Sequence, residues 1–110
     1  MGYIRNNELQ YYTKREKNAN VEQGNLVLTA YKEDYERSSY TSGAVLTYGK
    51  QDFLYGRIEV RAKLPTGKGT WPAIWMLGAD FETNEWPAAG EIDIMEHVGN
   101  EQNTIYGSTH

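Results

Sequence analysis

Glu91, Asp93 and Glu96 stand in the hexapeptide Glu91-Ile92-Asp93-Ile94-Met95-Glu96, three carboxylates interleaved with three large apolar side chains. In an extended strand side chains change face at every residue, so Glu91 and Asp93 share one face. Plain alternation sends Glu96 to the other face, with Ile92 and Ile94. An unpaired buried carboxylate costs several kcal/mol or gives up its charge. One extra residue around Ile94-Met95, a β-bulge, turns Glu96 back to the side of Glu91 and Asp93. The expected result is a row of three acids on one wall, with hydrophobic residues behind. Two carboxylates held ~5–5.5 Å apart can cut a bond between sugars through a covalent intermediate. Three acids so close cannot all ionise freely, so at least one is expected to keep its proton to higher pH. The same alternation also occurs on ordinary amphipathic strands whose acids are simply solvated.

Aromatic residues surround the acids in sequence. Trp71 and Trp75 are four apart, which puts them on one face of a strand with Ala73 between. Core packing is the competing role, above all for Trp75, because large aromatics are mostly buried. Trp86 sits beside Pro87 in a polar loop just before the acids, where it can stack on a sugar ring. Arg57 and Arg61 fall on the polar side of an alternating stretch. Solvation or ion pairing is the default for both, and lining a cleft is the alternative for Arg61. His97 follows the acids and reads as a packed or hydrogen-bonded neighbour, while His110 is terminal and carries little signal. No cluster has metal-ligand spacing, so no metal is expected.

These residues need elements to hold them, and strand signals dominate. Leu26 to Tyr31 follows a turn at Gln23-Gly24-Asn25, and Ala44 to Tyr48 follows one at Thr41-Ser42-Gly43. The clearest alternation runs from 54 to 64, with Leu54, Gly56, Ile58, Val60, Ala62 and Leu64 on one face. Trp71 to Leu77 reads as an apolar strand, 78–90 as a loop, 91–98 as the acidic strand and Thr104 to Thr109 as another. The segment 5–18 is ambiguous, and no helix is evident. Short strands at this spacing predict an all-β sandwich.

Composition narrows the function classes. The 110 residues suffice for one small domain. Nine Tyr, three Trp and two Phe make an aromatic excess suited to packing and to sugar rings. The net charge is −4 and no basic stripe occurs, which argues against nucleic acid. No apolar run is long enough to span a membrane. Met1-Gly2-Tyr3-Ile4-Arg5 leads straight into polar sequence, so no signal peptide is expected within this chain. Cysteine is absent, which excludes a disulfide and fits any compartment.

Three strings together resemble glycoside hydrolase family 16: Tyr55 to Pro65 (YGRIEVRAKLP), Trp71 to Leu77 (WPAIWML) and Gly90 to Glu96 (GEIDIME). Asn6 to Thr13 (NNELQYYT) is similar as well, and the likeness is greatest to the laminarinase-type endo-β-1,3-glucanases. The six-residue acidic motif separates it from the five-residue form of the lichenases. The resemblance implies part of a concanavalin-like jelly-roll β-sandwich of two curved antiparallel sheets, with a sugar cleft across the concave one. It implies that Glu91 is the nucleophile, that Glu96 is the acid/base, and that Asp93 between them governs the proton. It also implies that Asn6 or Asn7 contacts sugar hydroxyls, where a plain turn residue is the alternative. The expected partner is a β-glucan polysaccharide, laminarin-like or mixed-linkage, met in a secreted, extracellular setting. No cofactor is expected beyond a structural calcium in the complete domain.

The chain departs from the family in length. Residues 1–110 correspond to a single partial catalytic domain, its N-terminal half, in a family whose domains are roughly twice as long. Such a half leaves sheet edges and an apolar face open. It is then an engineered fragment, one part of a complementary pair of chains, or a self-associating piece. Ala44 stands where many relatives carry Arg. Three functions stay open: a retaining endo-β-1,3-glucanase or part of one, a non-catalytic carbohydrate-binding module, and a self-associating fragment without activity of its own.

Overall fold

A computed structural model describes residues 3–110; Met1 and Gly2, where the reading for a signal peptide begins, lie outside them. Contacts gather in two compact units, Met1–Thr47 and Tyr48–His110. Every element among the described residues is a strand, so the fold is all-β.

In the first unit, β1 (Gln10–Tyr12), β4 (Tyr31–Tyr35) and β5 (Ser38–Ser42) form a sheet in the order β1-β5-β4, while β2 (Ala19–Glu22) and β3 (Asn25–Leu28) make a separate hairpin. The β2–β3 turn has two residues, Gln23 and Gly24, at φ 49° and 79°, the left-handed pair that a tight hairpin demands. Glu36 and Arg37 do the same between β4 and β5, at φ 45° and 69°. β1 runs parallel to β5, in contrast to the purely antiparallel sheets expected.

The interior of this unit is polar. Asn18 and Thr41 are fully buried, and Thr13 and Ser38 nearly so. The Asn18 amide donates to the Thr29 carbonyl at 3.0 Å and to the Thr41 hydroxyl at 3.1 Å, and its oxygen accepts from Thr13 and Arg15. The Thr41 hydroxyl in turn donates to Glu33, which also pairs with Arg15 and Lys17. Gly43 lies against the Asn18 carbonyl, which a Cβ would meet at 2.3 Å. A satisfied network of this kind fixes one arrangement, because each unpaired buried group would carry its full desolvation cost.

In the second unit, β6 (Ala73–Leu77), β7 (Glu91–Glu96) and β8 (Tyr106–Thr109) form an antiparallel sheet with the acidic strand in the middle. Residues 54–64 correct the sequence expectation. Their alternation is real, yet they form no strand, and Leu54 and Tyr55 are 82% and 89% exposed. A strand exists only through its ladder, and among the described residues no neighbour pairs with this one. Ala44 to Tyr48 likewise forms none. No hydrophobic side chain among the described residues is fully buried.

Candidate active site

The register of β7 places the acids. Ala73 faces Glu96 and Ile74 faces Met95, but Trp75 then faces Asp93, so β7 carries one residue more than β6 at Ile94. The same slip occurs against β8, where Asp93 faces Ser108 and Glu96 faces Tyr106. Ala73, Trp75 and Leu77 share one side of β6, so their opposites Glu96, Asp93 and Glu91 share that side too. The bulge brings all three acids to one wall.

Asp93 is the buried member, its side chain 4% exposed. It accepts a hydrogen bond from the Ser108 hydroxyl at 2.7 Å, and its Oδ2 lies 3.3 Å from Nε2 of His110. Glu91 is half-buried, hydrogen-bonds Asp93 on one side and meets the Trp86 side chain on the other. Burial, followed by the hydrogen bond and the negative charge of Asp93, raises the Glu91 carboxyl above its usual range; His110 and Trp86 pull it back. Glu96 accepts from Nε1 of Trp71 at 3.1 Å. The arrangement offers a proton shared between neighbouring acids and a third acid oriented by an indole.

The tryptophans divide by position. Trp71 lies before β6 and is 56% exposed, and Trp86 is 60% exposed, leaving flat faces open to a sugar ring. Trp75 is half-buried on the acid side of β6, across from Asp93. Arg61 is exposed and outside any strand, and no ion pair ties it to the acids among the described residues. Asn6 belongs to the first unit, in a turn with Asn7 at φ 50° and 55°.

Two residues escaped sequence reasoning. Ser108 and His110 reach Asp93 only through the β7–β8 pairing, where Glu91 and His110 exchange both backbone hydrogen bonds, at 3.1 and 3.0 Å. Ligand atoms of Glu91, Asp93 and His110 lie within 4.8 Å of one another, a grouping that linear spacing hid. His97 is buried, its Nδ1 donating to the Thr104 carbonyl at 3.0 Å, and holds the segment after β7 in place.

A family model for "Glycosyl hydrolases family 16" matches residues 6–110. The β-glucanase of Rhodothermus marinus is 51% identical over 108 residues, covering 96% of this chain and 38% of that protein. The crystal structure of the laminarinase from R. marinus superposes with a TM-score of 0.89 at 50% identity, over 96% of this chain and 43% of that one. The laminarinase catalytic domain from Thermotoga maritima gives 0.86 at 51% identity, over 94% and 42%. The chain therefore spans about two fifths of the length of these relatives. Over that span it has their fold, part of a jelly-roll β-sandwich.

Proposed function

Because the chain belongs to glycosyl hydrolase family 16, we propose that it carries the acids of a retaining endo-β-1,3-glucanase. The observation that carries this reading is the bulged register, which sets Glu96 beside Asp93 and Glu91 on one side of β7. Laminarin-like or mixed-linkage β-glucan is the substrate, and, being polymeric, it is met outside the cell.

The reaction proceeds by two displacements. A Glu91 carboxylate oxygen attacks the anomeric carbon as Glu96 gives its proton to the departing glycosidic oxygen, which breaks the sugar–sugar bond and leaves a glycosyl ester on Glu91. Glu96, now a carboxylate, takes a proton from water. The resulting hydroxide attacks the same carbon, and Glu91 is released. Trp71 orients Glu96 through its indole N–H. Glu91 must be ionised to attack, and Trp86 and His110 favour that form against Asp93. The exposed rings of Trp71 and Trp86 give the sugars stacking surfaces.

The stereochemistry tests the mechanism. Early laminarin hydrolysis, followed by proton NMR of the anomeric signals, is expected to yield the β-anomer first. The α-anomer as first product would replace the covalent step by direct attack of water. A second reading, glucan binding without turnover, is favoured by the two exposed tryptophans on a chain two fifths the length of its relatives. It predicts laminarin binding without release of reducing sugar.

A further inference from the structure

A closed circuit of contacts runs through the wall of acids, and its last member is His110. Glu91 hydrogen-bonds Asp93, and Asp93 faces Nε2 of His110 at 3.3 Å. The His110 ring lies against the Trp86 indole, centroids 5.7 Å apart at 54°. Trp86 returns to the Glu91 carboxyl, which it helps to hold down. The paired backbone hydrogen bonds between Glu91 and His110 hold the imidazole in register with the acid it serves. The groups that face the ring are Glu91 and Asp93 from β7 and Trp86 from the preceding loop.

We propose that His110 is a positioning residue for the acid wall: its ring compensates buried Asp93 and braces Trp86, and so keeps Glu91 in its ionised, attacking form. The proposal deepens the glucanase reading and rests on it for its functional meaning. The physical case is direct. Asp93 has almost no contact with water, so its charge depends on the donors around it. The Ser108 hydroxyl supplies one without charge, and the His110 ring faces the same carboxylate at 3.3 Å, its charge holding the neighbouring Glu91 carboxyl down. With that charge gone, the negative charge between Glu91 and Asp93 is less compensated. Glu91 then keeps its proton to higher pH. A histidine that only filled space would leave this balance alone.

The test reads Glu91 itself and requires no turnover. The side-chain carboxyl carbon of Glu91 is followed by carbon NMR against pH in the parent chain, in His110→Gln and in His110→Ala. Gln keeps a donor without charge, and Ala removes donor and ring. Both variants are expected to move the Glu91 midpoint to higher pH by ~0.5 pH unit. That is less than the 1–3 pH units of a close opposite charge, because the imidazole is 41% exposed. In His110→Ala the Trp86 indole N–H resonance is also expected to shift, and in His110→Gln by less. An unchanged Glu91 midpoint in a folded variant of either kind overturns the proposal. If Ala prevents folding, Gln alone decides. The glucanase reading fails separately, through laminarin assays of the acids, and a normal Glu91 shift alongside such a failure would leave His110 as an electrostatic partner without a catalytic task.

Discussion

Glu33 accepts from the Thr41 hydroxyl, from Lys17 and from Arg15, and these bonds, Thr41 first, hold its carboxyl down at about 2. Its unfolded counterpart titrates near 4.5. A carboxyl with a depressed folded pKa stabilises the fold above the unfolded value and loses that contribution as pH falls through the folded one. Urea midpoints measured between pH 5 and pH 2 are therefore expected to fall in the parent and to flatten in Glu33→Gln. An equal slope in both would remove Glu33 from the acid response. None of this was legible in the sequence, because Asn18, Glu33 and Thr41 meet only in the folded unit, and each alone reads as a surface residue. Ser108 and His110 were hidden for the same reason. The acids themselves were legible, since a third carboxylate out of step with two others implies its own remedy.

At the scale of elements, the bulge in β7 is the device that matters. The register places it at Ile94, and with the extra residue there Glu96 stays on the side of Asp93 and Glu91. Deleting Ile94 leaves Glu91-Ile92-Asp93-Met95-Glu96, in which simple alternation by itself keeps the three acids on one face. The expected outcome is a protein that keeps amide-exchange protection in β6, β7 and β8 and keeps the Trp71–Glu96 hydrogen bond. The Trp71 indole N–H resonance reports on that bond. A resonance that no longer reports on Glu96 would mean that the face it shares with Asp93 does not by itself place the acid. The stretch 54–64 teaches the opposite lesson. Its alternation is the cleanest in the chain, yet periodicity describes which faces a strand would have, and hydrogen-bonded neighbours decide whether it forms.

The whole molecule has polar interiors and uncovered apolar strands. Leu26, Leu28, Val45, Leu46, Ile58, Val60 and Ile92 all remain exposed, and no hydrophobic side chain among the described residues is fully buried. Exposed apolar faces and open strand edges favour pairing with another chain. Native mass measurement at micromolar concentration is expected to show dimers or larger species, and a clean monomer would oppose this. The account rests most heavily on the wall formed by Glu91, Asp93 and Glu96. Its most direct test is release of reducing sugar from laminarin by the parent chain, Glu91→Gln and Glu96→Gln. The account predicts release by the parent and a loss of at least ~100-fold in each variant, the low end for a positioned acid–base group. Variants that match the parent would contradict it.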